Sequence, residues 1–145
     1  ALVLSLARVA FGGVCGCGIS GSNVRVPAHY HGSIVGVTLA FMGLVYVLLP
    51  RLGYATPSPR AASWQAYLYG IGQMLHITGL VWSGGYGVQR KVAGAAQGLD
   101  GIEKIAGMGL MGLGGLIAVV GGVMFLVIVL RALGRGSTRL SMKEA

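Results

Sequence analysis

Apolar residues dominate four long stretches of the chain, and polar residues gather between them. The stretches cover residues 1–20, 27–49, 64–86 and 102–133. Each is close to the ~20 residues that an α-helix needs to cross the hydrocarbon core of a bilayer. The runs are too continuously apolar for the alternating strands of a membrane β-barrel, the other structure that satisfies backbone groups in lipid. The pattern therefore predicts an all-α integral membrane protein with four transmembrane helices.

Composition agrees with a membrane location. Only 10% of the 145 residues are charged, against roughly a quarter in soluble domains, and the mean hydropathy is +0.77. The chain has 27 glycines, which let neighbouring helices approach closely in lipid. The formal net charge of +8 comes from basic residues that lie between the apolar runs. It therefore does not indicate a nucleic-acid partner.

Basic residues are distributed unevenly between the two ends of the predicted helices. Seven fall at one end: Arg8, Arg51, Arg60, Arg131, Arg135, Arg139 and Lys143. Four fall at the other: Arg25, Arg90, Lys91 and Lys104. Lysine and arginine are enriched in cytoplasmic loops, so the first end is predicted to face the cytoplasm. Both termini are then cytoplasmic, with a basic tail at residues 134–145, and the expected location is a bacterial inner membrane.

Two further motifs carry weaker signals. Cys15 and Cys17 would point away from each other on a helix, and they are expected to be small buried thiols rather than metal ligands. The segment from Gly107 to Gly112 matches G-x-G-x-x-G, a fingerprint of dinucleotide-binding folds. No strand is predicted ahead of this segment, so its expected role is close helix packing.

A histidine pair, His29 and His31, stands at the start of the second apolar stretch, just after Pro27. Residues advance by about 100° along an α-helix, so these two side chains diverge by about 200° and face opposite sides. The spacing favours a helix that gives one imidazole to each of two separate cofactors. Haem is the obvious candidate, because histidine is a common axial ligand of its iron. The alternative is a pair of interfacial histidines solvated by lipid headgroups.

The stretch VPAHYHGSIVGVTLAFMGLVYVLLPRLGY, residues 26–54, resembles the tenth helix of the catalytic subunit I of haem-copper oxidases. The preceding ARVAFGGVCGCGI, residues 7–19, is similar to the ninth helix of that subunit. The later GQMLHITGLVWSGGYGVQRK, residues 72–91, is similar to the eleventh. The fourth apolar stretch would be the twelfth. The resemblance implies that the four helices form the C-terminal part of a larger helical bundle.

The same resemblance implies roles for particular residues. His29 would bind the iron of the high-spin, catalytic haem, and His31 would bind the iron of the low-spin haem that supplies electrons. Arg90 and Lys91 would neutralise haem propionates. His76 would be a hydrogen-bonded polar residue near a haem edge rather than an iron ligand.

The function implied by the resemblance is that of a respiratory terminal oxidase, in which O2 is reduced to water at the high-spin haem. The family's copper ligands lie on earlier helices, so a partner chain would hold copper or non-haem iron, and this chain would be incomplete alone as an oxidoreductase. The expected partners are the remaining helices of subunit I and an electron-entry subunit similar to subunit II. The expected electron donor is cytochrome c or quinol. Membrane lipid is expected to surround the assembled subunits.

Three alternatives stay open at this point. Nitric oxide reductase of the same superfamily differs in the metal opposite the haem, which this chain is not expected to bind. A non-catalytic di-haem electron-transfer subunit would need a second axial histidine for each haem, and only His76 remains. A structural membrane subunit would carry no cofactor.

Overall fold

The computed structural model describes residues 2–19, 23–89, 91–92 and 94–141, with the side chains of residues 2, 4 and 136–141 left aside. This part of the chain forms four α-helices and a short 3-10 helix. They are α1 (Leu2–Cys17), α2 (Arg25–Arg51), α3 (Pro59–Gly85), the 3-10 helix Gly94–Gln97 and α4 (Ile102–Ser141). No strand occurs within these residues, although Asn23 and Gln89 form one antiparallel bridge. The prediction of an all-α fold is confirmed.

Local sequence explains where several helices begin and end. α3 begins at Pro59 rather than at the predicted Trp64, because proline fits the first helical turn, where its missing N–H is not needed. After α2 ends, Gly53 adopts a φ of +87°, which glycine tolerates without steric penalty. α4 continues past residue 133 to Ser141, so the first part of the predicted tail is helical.

α3 and α4 form the most extensive helix pair, and they run antiparallel. Glycines recur at intervals of seven on the facing surfaces: Gly72 and Gly79 on α3, and Gly107, Gly114 and Gly121 on α4. A methyl group added at Gly79 would collide with the Met111 backbone, and one at Gly121 would collide with the Tyr69 backbone. Small residues of this kind let two backbones touch in a membrane.

The G-x-G-x-x-G segment contributes to this contact through one glycine. Gly107 is buried against Ser83 of α3, as the expected packing role requires. Gly109 and Gly112 are exposed and face open space, so the same expectation is wrong for them. The motif is therefore one packing glycine flanked by two that lie on the outer face of α4.

α1 and α2 form a second close pair. The backbones of Gly12 and Gly32 meet, so that a methyl group on either glycine would overlap the other helix. The Ser5 hydroxyl donates a hydrogen bond of 2.7 Å to the carbonyl oxygen of Gly36, further along the same contact. The hydroxyl is thereby satisfied inside the helix pair.

Gln65 joins the two helix pairs through hydrogen bonds from a fully buried position on α3. Its Nε2 donates to the carbonyl oxygen of Gly121 on α4 at 3.2 Å, and its Oε1 accepts from the Tyr46 hydroxyl of α2 at 3.1 Å. Buried amides destabilise a fold unless they are hydrogen-bonded. These bonds therefore fix α2, α3 and α4 relative to one another.

Two helices, α2 and α4, are long and apolar enough to cross a membrane, with mean hydropathies of 2.2 and 2.8 over their most apolar windows. Only 28% and 17% of those windows is buried within the chain, unlike the core helix of a soluble protein. α1 has 16 residues, and α3 contains more polar residues, so neither meets the same criterion. The described chain thus has two candidate spans where the sequence predicts four.

The first apolar stretch differs from expectation at its cysteines. Cys17 is exposed, and Cys15 is partly exposed at the edge of a buried apolar cluster that includes Ala28 and Ile77. The expectation of two buried thiols is therefore wrong for Cys17.

Arg8 also differs from expectation, because it lies in the interior of the helix bundle. It stands in the middle of α1 with 1% of its surface exposed. Its Nε, Nη1 and Nη2 atoms have no hydrogen-bond partner among the described residues. Arg8 therefore does not belong to a loop and does not count toward the basic residues at the predicted cytoplasmic end. The excess of basic residues at that end becomes smaller without it. The orientation itself stays a prediction.

We expect Gly79→Ala to weaken the α3–α4 contact, because the new methyl group would meet backbone atoms that cannot rotate away. Overpacking of this kind lowers the free energy of unfolding by roughly 1–3 kcal/mol. Gly112→Ala is the matched control, since it adds the same methyl group into open space on α4. Unfolding of both variants in mixed detergent micelles measures the difference. Equal stability of the two variants would contradict glycine-mediated packing.

Candidate functional site

His29 lies in the second turn of α2 and faces α1. Its Nδ1 is 2.7 Å from the carbonyl oxygen of Gly12. A carbonyl oxygen only accepts hydrogen bonds, so Nδ1 is the donor and carries the proton. In a neutral imidazole the other nitrogen, Nε2, is then unprotonated and able to bind a metal. Metal-binding histidines in proteins usually have this arrangement, which orients the ring and raises its basicity.

Glycines of α1 make room for the His29 ring. A Cβ atom at Gly16 would stand 2.8 Å from Nδ1 and 3.0 Å from Cε1 of His29. The contact of Gly12 with Gly32 brings α1 close enough for the Gly12 carbonyl to reach the ring. The orientation of His29 therefore depends on two glycines spaced one helical turn apart.

His31 faces α3 and not α1. Its ring centroid is 4.8 Å from that of His76, and the two ring planes are tilted by 58°. His29 and His31 thus contact different helices, as expected for side chains two residues apart on a helix. No single metal ion is shared by this pair.

His76 is itself anchored to α4. Its Nδ1 donates to the carbonyl oxygen of Met111 at 2.9 Å. A Cβ atom at Gly115 would lie 3.2 Å from the same nitrogen, so a glycine again stands beside a hydrogen-bonded imidazole. The sequence predicts a hydrogen-bonded His76, and the structure supplies Met111 as its partner.

A groove of about 360 Å³ opens beside His31, between α2 and α3. The residues that line it with His31 are Tyr30, Ile34, Val35, Thr38, Tyr69 and Gln73. Tyr30 and Ile34 are 55% and 63% exposed at its rim. The groove therefore combines an open apolar edge with an imidazole and several hydrogen-bonding side chains.

The loop that carries Lys91 lies at the histidine end of the bundle. The bridge between Asn23 and Gln89, with the hydrogen bond of 3.1 Å from the Val24 N–H to the Val88 carbonyl, joins this loop to the start of α2. Lys91 is exposed and has a φ of +62°. Arg90 lies outside the described residues, so its predicted role stays a prediction.

Lys104, another basic residue at this end, has a partner within the chain. Its ammonium group donates to Asp100 Oδ1 at 2.7 Å. This hydrogen bond, with a smaller contribution from the backbone of Asp100, lowers the pKa of the Asp100 carboxyl group. Lys104 is thus less suited than Lys91 to neutralising an external carboxylate.

No group of three or more histidine, cysteine, aspartate or glutamate side chains is placed to hold a metal ion in the described part of the chain. Each histidine of the pair instead offers a single imidazole to its own side of α2. Such sites suit a group that brings most of its own metal ligands. Haem fits this requirement, because its porphyrin supplies four nitrogens and the protein supplies axial ligands.

Sequence reasoning missed the partners that orient the histidines. The carbonyl groups of Gly12 and Met111 carry no side-chain signal, and their roles depend on which helices pair. Gly12 and Gly16 are the features of the sequence that could have indicated these partners, because they mark the face of α1 that another helix approaches closely.

No protein-family model matches the chain, and no solved structure matches it. The chain is 40% identical over 138 residues to the uncharacterized protein RP382 of Rickettsia prowazekii; this covers 88% of the chain and 26% of that protein. It is also 40% identical over 53 residues to an uncharacterized protein of Aquifex aeolicus, covering 37% of the chain and 14% of that protein. The chain therefore spans about a quarter or less of the relatives it matches.

We expect Gly16→Ala to break the hydrogen bond between His29 and Gly12, because the added methyl group would occupy the space of the imidazole. Gly13→Ala is the control, since its methyl group would meet open space on the same helix. Solid-state NMR of ¹⁵N-labelled histidine in membranes reports the protonated nitrogen of each ring. The His29 signal, assigned with a His29→Gln variant, should change in Gly16→Ala alone. An unchanged signal would contradict the packing described here.

Proposed function

We propose that the chain is the haem-carrying part of the catalytic subunit of a respiratory terminal oxidase of the haem-copper superfamily. The observation that carries this proposal is the placement of His29 and His31. Two imidazoles on one helix contact two different helices, and the Nδ1 proton of His29 is fixed on a backbone carbonyl. Each imidazole then serves one haem, with His29 as the high-spin ligand and His31 as the low-spin ligand.

The residues around each histidine support this assignment. On the α1 side, the Gly12 carbonyl holds the His29 ring and leaves Nε2 as the ligand atom. On the α3 side, the groove lined by Thr38, Tyr69 and Gln73 gives His31 an open flank. Haem, when bound, supplies electron transfer at one site and oxygen binding and reduction at the other. The chain's own residues orient the two ligands and exclude water between closely packed helices.

Lys91 is proposed to neutralise a haem propionate together with Arg90. The bridge between Asn23 and Gln89 supports this role, because it joins the Lys91 loop to the helix that bears the histidines. Lysine acts as a point charge without the bidentate geometry of arginine. The Lys91 contribution is therefore electrostatic, and Arg90 would supply any paired hydrogen bonds.

The proposed enzyme needs residues from outside this chain. Copper or non-haem iron opposite the high-spin haem, and the electron-entry subunit that takes electrons from cytochrome c or quinol, would come from partner segments. The coverage of 26% of the Rickettsia prowazekii protein supports this arrangement, because the matched protein is long enough for many further helices.

All four helices are proposed to cross a bacterial inner membrane within that larger bundle. α2 and α4 have the length and hydropathy to do so by themselves. α1 and α3 would be shielded from lipid by neighbouring helices, which allows a shorter or more polar span. Both termini would lie in the cytoplasm.

We expect His29→Ala to abolish the carbon monoxide difference spectrum of the reduced enzyme while the low-spin haem bands remain. His31→Ala should remove the low-spin bands and preserve binding of carbon monoxide, because each substitution removes one axial ligand. Val37→Ala, which changes an exposed residue of the same helix that does not line the groove beside His31, is the control and should leave both spectra intact. Reduced-minus-oxidised spectra of the purified assembly measure all three. Absence of haem from the unmodified assembly would end the proposal, and loss of carbon monoxide binding from His31→Ala alone would reverse the two roles.

The metal and the substrate are tested together. We expect about one copper for each pair of haems in the purified assembly, with turnover on O2 and little turnover on NO. Elemental analysis and oxygen-electrode measurements check these values. Non-haem iron with turnover on NO would indicate nitric oxide reductase, and two haems that bind neither gas would indicate an electron-transfer subunit.

A further inference from the structure

Four exposed arginines lie at the end of the bundle remote from the histidine pair. Arg51 ends α2, Arg60 lies in the first turn of α3, and Arg131 and Arg135 lie in the last part of α4. The Ala55 N–H donates to the Ala132 carbonyl at 3.2 Å, which holds the loop between α2 and α3 against α4. The fold therefore gathers charges that are far apart in sequence.

The positive charge at this end is unmatched among the described residues. The acidic side chains within them, Asp100 and Glu103, both lie at the start of α4, at the opposite end. None of the four guanidinium groups forms a hydrogen bond or an ion pair in the described part of the chain. The four arginines are therefore free to bind an external anion.

Aromatic residues stand beside one of these arginines, Arg60. Trp64 and Tyr67 are 65% and 53% exposed on α3. With Pro59, Arg60 and Ser63 they line an open groove of about 370 Å³. Tryptophan and tyrosine concentrate at the level of lipid headgroups, because their rings are apolar at one edge and polar at the other. Exposed apolar residues continue from the groove along the bundle, with Ile71 53% exposed one turn beyond Tyr67.

We propose that this basic, aromatic end binds the headgroup of an anionic phospholipid at the groove between Arg60 and Trp64. Arginine presents two parallel N–H donors to a phosphate, which a lysine cannot do. Tyr67 and Ile71 then line the path of an acyl chain away from the phosphate. A phospholipid matches these residues, because it is anionic at one end and apolar along the rest. The site does not depend on haem binding.

The test compares lipids in the full assembly. The assembly is purified in detergent, mixed with equal amounts of phosphatidylglycerol and phosphatidylcholine, and analysed by native mass spectrometry. We expect selective retention of phosphatidylglycerol. Each arginine near an anionic lipid surface contributes about fivefold to the affinity, so Arg60→Gln should weaken retention by about that factor. Arg60→Lys should recover only part of it, since it restores charge without the paired donors.

Lys104→Gln is the matched control, because it removes one basic charge at the opposite end of the bundle and should leave retention unchanged. Trp64→Ala should weaken retention of both lipids, since the ring contacts the glycerol and acyl region. Equal retention of the two lipids by the unmodified assembly would overturn the proposal, as would an equal loss in Arg60→Gln and Lys104→Gln. Inorganic phosphate or an acidic peptide that displaces phosphatidylglycerol at equal concentration would also overturn it, because the groove would then recognise charge without lipid.

Discussion

Backbone contact between helices at glycine positions is the constraint on which the rest of the structure depends. A carbonyl group inside an α-helix already accepts one hydrogen bond from its own helix, but it has a second lone pair. A side chain of a neighbouring helix reaches that lone pair only where the two backbones lie very close. The contact of Gly12 with Gly32 makes the Gly12 carbonyl available to His29. The contact of Gly114 with His76 does the same for the Met111 carbonyl.

This constraint also determines which nitrogen of an anchored histidine is open to a ligand. The two imidazoles anchored in this way, those of His29 and His76, each donate one N–H to a carbonyl oxygen and keep the other nitrogen for a ligand. Because α2 stands between α1 and α3, His29 and His31 lie on opposite sides of α2. The described residues contain no cluster of three metal-binding side chains. On the α1 side a bare metal ion would find the single imidazole of His29, and on the α3 side it would find at most the imidazoles of His31 and His76. The haem proposal depends on this division, because a macrocycle that brings its own nitrogens would need only one imidazole of α2 on each side.

The parts of this arrangement that follow from local periodicity could be predicted from the sequence. The divergence of His29 and His31 needs only the helical repeat, and the all-α fold needs only long apolar runs. The partner carbonyls could not be predicted, because they depend on the pairing of α1 with α2 and of α3 with α4. The same holds for Arg8, because its place within an apolar stretch does not show whether its side chain faces the interior or the surroundings of the bundle.

The exposed residues differ in polarity between two faces of the bundle. The outer face of α4 exposes purely apolar side chains, with Leu116, Val119 and Leu126 each more than half exposed. Lipid solvates such a face without any unsatisfied polar group. The groove beside His31 includes Tyr69 and Gln73, and the buried Oε1 of Gln73 has no hydrogen-bond partner among the described residues. Hydrocarbon would leave these groups unpaired at a cost of roughly 1–3 kcal/mol each. The histidine-bearing flank therefore needs further polar partners, which the proposed cofactor and additional helices would supply, whereas the α4 face needs none.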